Sequence, residues 1–296
     1  MERIVVACAD RKAQRALARV AGATRCPIEV TAGIPPDCTG AIVIADLALA
    51  RAEPTARTRP ARAWIAVPGD GGAAAAPDAI GELLAAGWDH VVAQPMPLLT
   101  EELLATVHKI LRGDAFGLEK YVAWGAAIST YSLGNAIERA GVVALLAKEL
   151  AAVGLPDRLG PLVGVIADEL LANALYAAPV DERGQRFRAG ESREAPRRLA
   201  GKDVVTLRWA TDGRYLAIEV RDAWGTLDPR GIGARLAAAR TQTQLDAGMG
   251  LPLVYACSNQ LVLGVSPGER TEAIALLDVR YKPTDLARVG SYHVFT

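Results

Sequence analysis

"GVIADELLANALYAAP", residues 164–179, decides how this chain is read. Leu162, Val163, Ile166, Leu170, Leu171, Ala174 and Leu175 cover most of a helical circumference, and a helix apolar nearly all round is a buried helix. Glu169 and Asn173 break that pattern. They stand four residues apart and so share one face. A carboxylate taken out of water is costly without partners, so the stripe has to meet donors, a metal or a cavity. Taken alone, Glu-x-x-x-Asn is best explained as a satisfied core pair, and the segments around it decide otherwise.

Downstream, "DVVTLRWAT" (203–211) and "RYLAIEVRD" (214–222) alternate apolar and polar residues around Asp212-Gly213, which predicts a hairpin. The second strand runs into "RDAWGTLDPRGIG". A charged, Gln-bearing stretch leads to "GMGLPLVYACSNQ", and "QLVLGVSPGERTEAIALLDV" ends with two strand-like runs split by Pro-Gly. Between the helix and the hairpin, residues 180–202 form an Arg-rich polar insertion expected on the surface.

In this order and spacing the segments resemble the histidine-kinase-like (GHKL) ATPase superfamily, which includes gyrase, sensor-kinase catalytic domains and bacterial anti-sigma-factor kinases. The resemblance covers about residues 125–282. "DELLANAL" resembles the family's Asn-bearing helix and "VRDAWGTLDP" its first Gly box, best in the looser anti-sigma-kinase form. "GMGLPLV" resembles the second Gly box, and Thr271 stands where the family keeps a late Thr. The resemblance implies an α/β two-layer sandwich that binds ATP and Mg²⁺. Asn173 then holds Mg²⁺ through its amide oxygen. Glu169 is the catalytic carboxylate, orienting or deprotonating a water or a protein hydroxyl. Asp222, supported by Thr271, accepts from the adenine amino group. Gly225 lies in the first box. Gly248 and Gly250 open a helix whose bare N–H groups approach phosphate, and 230–247 is the lid. Trp224 and Thr226 stand where the family has glycines, so the indole either stacks on adenine or fills its pocket.

Upstream, "RIVVACAD", "GAIVIADLALA" (40–50) and "RAWIAVPGD" (62–70) read as buried strands, and "VVAQP" as a short fourth. "RKAQRALARVA", "PDAIGELLAAGWDH" and "LLTEELLATVHKILRG" (98–113) read as helices, the last with Thr100 as N-cap. Strands alternating with helices predict a doubly wound parallel sheet, with ligands at the strands' carboxyl ends, where Asp10 and Asp46 fall. "GELLAAGWDHVVAQPMPLLTEELLATVHKIL" resembles the second half of a response-regulator receiver domain of the flavodoxin-like fold. The likeness implies Asp46 as phosphoacceptor with Asp10 beside it. The family's Lys-Pro is Gln94-Pro95 here, and its first Mg²⁺-binding acid is Ala9. A neutral amide cannot neutralise a phosphoryl group. This departure favours a degenerate receiver in which Asp46 only caps a strand end.

Four parts follow: 1–113 receiver-like, 114–154 a helical connector, 155–284 ATPase-like, and 285–296 a C-terminal tail. In the connector, Tyr121, Trp124, Ile128 and Tyr131 recur at helical spacing. That face either packs within the chain or pairs with a second copy as a homodimer. The three histidines are His90, His108 and His293, so the connector has no phosphoacceptor, which argues against an autophosphorylating histidine kinase. A formal net charge of +0 gives no sign of a nucleic-acid partner. Four scattered cysteines without C-x-x-C argue against structural zinc and fit a reducing cytoplasm. No long uncharged apolar run or signal-peptide core is read, so no membrane is expected. The expectation is a cytoplasmic two-component or anti-sigma-type signalling protein with a protein partner, acting as a Ser/Thr kinase or slow ATPase. The alternative is a non-catalytic scaffold in which both folds have lost their chemistry.

Overall fold

The structure, a computed structural model, describes residues 2–69, 77–97, 99–239, 250–280 and 289–296. It is mixed α/β and divides into two compact units.

The first unit holds β1 (Arg3–Ala7), α1 (Arg11–Gly22), β2 (Ile28–Thr31), β3 (Ala41–Asp46), α2 (Leu47–Ala52), β4 (Ala63–Val67), α3 (Pro77–Ala85), β5 (His90–Val91) and α4 (Leu99–Arg112). The strands pair in parallel in the order β2-β1-β3-β4-β5. Every residue of β3 is buried, as the continuous apolar run requires of a strand covered on both faces. Ala13, Leu17 and Ala21 of α1, one turn apart, pack with Leu103 and Val107 of α4 over Ile4, Val6, Ile42, Ile44 and Ile65. α2 and α3 pack against each other, and Trp64 meets Trp88 edge to face at 5.8 Å. The β2 strand is not legible in the sequence because it is short and only half-buried, with no apolar run to mark it. Thr100 lies inside the first turn of α4 rather than at its cap.

Two later segments join this unit. Where the sequence suggests a tail over 285–296, Ser291–Phe295 forms β11, which pairs antiparallel with β5. The polar residues of β11 turn inward: Ala93 N–H donates to Ser291 Oγ at 2.8 Å, and His293 Nε2 lies 2.9 Å from Glu102 Oε1. α7 (Pro229–Ala239), expected in the lid, buries Ile232 and Leu236, and Gly233 lies against the Leu84 carbonyl of α3. Residues 240–247 of that lid lie outside the described residues.

The second unit holds β6 (Ile128–Leu133), α5 (Glu138–Ala152), α6 (Leu159–Ala172), β7 (Val205–Thr211), β8 (Tyr215–Asp222), α8 (Gly250–Cys257), β9 (Gln260–Ser266) and β10 (Arg270–Asp278). Its sheet is antiparallel, in the order β9-β10-β8-β7-β6. The expected hairpin forms: Gly213 takes φ 83, and Asp212 Oδ1 accepts from Arg214 N at 2.9 Å and Tyr215 N at 2.8 Å. α6 packs on β8, flanked by α5 and α8. With the turn that follows, Leu159–Ala177 is long and apolar enough to cross a membrane by length and composition, and 56% of its most apolar window is buried within the protein. The connector is α-helical only in α5, with a 3-10 turn at Leu118–Lys120 before it. Ile128–Leu133 is a strand, Gly125 interrupts the stretch before it at φ 85, and Trp124 is fully exposed.

Candidate functional site

α6 is an apolar helix whose Val163, Ile166, Leu170 and Leu171 are buried, so its packing rather than its propensity holds it. Asp168 turns outward to Arg139 at 3.4 Å. At Asn173 the helix changes pitch: Asn173–Ala177 is a π turn, and Ala178 N–H donates to Asn173 C=O at 2.9 Å. Such turns carry one extra residue and are frequent at functional sites. The Asn173 amide nitrogen donates to the Glu169 carbonyl at 2.9 Å, which fixes the amide plane.

Gly250 is brought to this pair. A Cβ on Gly250 would stand 2.6 Å from Glu169 Oε2 and 3.2 Å from Asn173 Nδ2. Only a glycine lets the first residue of α8 approach the carboxylate so closely. The helix N-terminus in turn favours an anion at that point.

A second group gathers at the end of β8. Asp222 pairs in register with Thr271 of β10, and both are buried. Asp222 Oδ1 accepts from Trp224 N at 2.9 Å and from Gly225 N at 3.4 Å. Burial pushes the Asp222 carboxyl up to about 6, against the pull of those N–H groups and of Thr271. The Thr271 hydroxyl exerts that pull from beside the carboxyl, yet its oxygen reaches no partner in hydrogen-bonding geometry. Gly225 takes φ 62, and a Cβ there would stand 2.1 Å from the Ser266 carbonyl. The glycine is thus demanded by the β9–β10 turn packed on it.

The Trp224 indole meets Phe187 of the insertion edge to face at 6.3 Å, and the Lys202 ammonium lies 5.8 Å from its ring centre. Neither ring partner is legible in the sequence, because contacts between an insertion and a Gly box leave no local periodicity. The insertion itself is anchored. Arg188 grips Asp203 with two bonds of 2.8 and 2.7 Å, and Leu199 N–H donates to Gly134 C=O at 2.9 Å.

The structure thus brings together Glu169, Asn173 and Gly250, and separately Asp222, Gly225 and Thr271, with α6 packed on the strand that ends in Asp222. Gly248 lies outside the described residues. Two features lie at these groups: a cradle that a Cβ would fill beside Glu169, and a buried Thr271 hydroxyl beside the Asp222 carboxyl. No group of three or more His, Cys, Asp or Glu side chains could hold a metal ion by itself among the described residues.

Asp46 and Asp10 sit in the first unit and cap helices. Asp46 Oδ1 accepts from Leu49 N at 2.8 Å, and its Oδ2 accepts from Ala9 N at 2.9 Å. Gly69 closes over the Asp46 side chain, its would-be Cβ 2.5 Å from Asp46 Cβ. Asp10 Oδ1 accepts from Ala13 N at 2.7 Å. Cys8, beside Asp46, has its thiol pushed up to about 12 by burial and by that carboxylate, so it stays protonated and unreactive.

No family model matches the chain, and no curated protein matches it. Among solved structures, a chain of the SiaB-SiaC complex from Pseudomonas aeruginosa is similar at 14% identity and a TM-score of 0.33; the match covers 61% of this chain and 99% of that one.

Proposed function

We propose that the second unit is a histidine-kinase-like ATPase domain that binds Mg-ATP, in a cytoplasmic signalling protein whose first unit is a receiver-like docking module. The observation that carries this reading is the approach of Gly250 to Glu169 and Asn173. Gly250 lies far from both in sequence, and the sequence resemblance assigns all three to the phosphate end of the site. On this reading Asn173 offers its oxygen to Mg²⁺. Glu169 would take the proton from a water or a partner's Ser/Thr hydroxyl as that oxygen bonds to the terminal phosphorus, the bond to the bridging oxygen breaks and ADP leaves. Asp222 and Thr271 hold the base. Mg²⁺, when bound, supplies charge neutralisation between the phosphates.

Phosphorylation at Asp46 is set aside in this reading, because both its oxygens are engaged by backbone N–H groups. The same observation favours the scaffold alternative for the first unit alone. The partner is a protein. The exposed Ile137, Leu145 and Val153 along and beside α5 suit pairing with a second copy.

Thermal-shift titration with Mg-ATP, ADP and EDTA tests the proposal. Millimolar nucleotide should raise the melting temperature by mass action, and Asn173→Ala should remove the Mg²⁺ dependence. No shift with any nucleotide would sink it, as would equal binding with and without Mg²⁺ for the role of Asn173.

A further inference from the structure

The outer face of the second unit's sheet carries a charge cluster that the nucleotide reading does not use. Side chains alternate along a strand, so Glu219 and Arg221 of β8 and Glu272 of β10 face away from Asp222 and Thr271. The two glutamates are 0% and 1% exposed. What covers them is the short segment 116–121. Gly117 N–H donates to Glu272 Oε1 at 2.8 Å, and Leu118 N–H donates to Glu219 Oε1 at 3.0 Å.

Other charged groups surround the pair. Arg221 reaches Glu272 Oε2 at 2.8 Å and Glu219 Oε1 at 3.1 Å. Arg208 of β7 reaches Glu219 Oε2 at 3.0 Å, and its second nitrogen reaches Glu119 of the covering segment at 3.0 Å. Lys120 donates to the Phe116 carbonyl, and the Arg270 guanidinium lies 3.7 Å from the centre of the Phe116 ring. The segment is thus held by backbone N–H groups at one end and by side-chain charges along its length. Its seat is two carboxyl groups side by side in a dry place.

We propose that residues 116–121 form a proton-operated strap: it sits on the sheet while Glu219 holds a proton beside the charge of Glu272, and lifts as that proton leaves. The seated strap keeps water from the pair. Two ionised carboxylates held together repel, and both gain by hydration, which requires the strap to rise. Burial, then the charge of Glu272, raises Glu219 to about 7, against the opposing pull of Arg221 and Arg208. The seated form therefore binds a proton that the open form has released at the same pH. Acid holds the strap down and alkali frees it.

Hydrogen exchange at the Gly117 and Leu118 amides reads the strap directly, and the test needs no nucleotide, so its outcome is separate from the fate of the ATP reading. Protection factors, corrected for intrinsic exchange, should fall roughly tenfold between about pH 6 and about pH 8.5. Glu219→Gln cannot ionise and should hold protection constant over that range, and Glu272→Gln should do the same. Protection that is flat in the parent protein overturns the proposal. So does a parent-like fall in both glutamine variants. Should one variant not fold, the parent's pH series and the other variant distinguish these outcomes.

Discussion

Glycine at position 225 is required twice over, by its backbone angle and by its surroundings. Its φ of 62 strains any other residue, and the Ser266 carbonyl occupies the space a Cβ would need. Gly213 shares the first constraint, with φ 83, but has open space around it. Gly213→Ala should therefore cost about 1 kcal/mol, and Gly225→Ala about 3 kcal/mol or more, in urea unfolding. Equal losses would refute the crowding at 225. Gly250 differs from both, because the atom it faces is the mobile end of a side chain. Gly250→Ala should leave stability within about 1 kcal/mol, and on the proposed reading it should abolish the nucleotide-induced thermal shift, since the displaced Glu169 carboxylate would intrude on the proposed phosphate end. The glycine and the Glu-Asn pair are legible in the sequence because each breaks a local rule: a polar stripe on an apolar helix, a flexible residue at a helix start. The engagement of Asp46 is half legible. Its place at a strand end follows from the apolar run before it, but the N–H of Ala9 comes from the end of another strand and leaves no trace nearby.

Elements are readable where one physical signal dominates. β3, β4 and the β7–β8 hairpin declare themselves by continuous or alternating burial and a Gly-bearing turn. β6 misleads because Tyr121, Trp124, Ile128 and Tyr131 fit a helical period by coincidence. Pairing with β7 outweighs that weak periodicity, and Ile128 and Tyr131 pair with Ala210 and Leu207 across the ladder. β11 misleads for the opposite reason, because its Ser291 and His293 look solvent-facing and are buried against polar partners, the Ala93 amide and Glu102 of α4. The insertion is legible as polar but not as anchored. Removing its clamp tests that anchoring. Arg188→Ala should strand Asp203, cost about 2 kcal/mol, and speed tryptic cleavage after Arg183, Arg186 and Arg193. Cleavage at the parental rate, read by mass spectrometry, would mean that the segment is held by its backbone bonds alone.

Across the whole molecule, protonation should pull the two units in opposite directions. In the first, burial, then His293 and Lys109, hold His90 well below its ordinary 6.5. The unfolded chain binds a proton there that the folded unit refuses, so this contribution is complete above about pH 6.5 and fades as pH falls. In the second, Asp222 is raised from 3.8 to about 6 and Glu219 from 4.5 to about 7, both chiefly by burial. The folded unit binds the extra protons, so their contribution is full below about pH 4 and is lost as pH rises toward 7. Region-resolved hydrogen exchange between about pH 5 and about pH 8 should show the first unit gaining protection with rising pH and the second losing it. Parallel trends in both would contradict the assignment. The alternation of side chains along β8 and β10 has one more consequence. Arg221 and Asp222 are neighbours on opposite faces, and across the ladder so are Glu272 and Thr271. If tightening one face of this two-strand ribbon shifts the next residue on the other, the effect runs both ways, because free-energy coupling has no preferred direction. A molecule that settles against Asp222 would shift the proton count at Glu219, and a change in acidity would shift that molecule's affinity by the same factor. A base pocket and a pH gauge would then be two readouts of a single pair of strands.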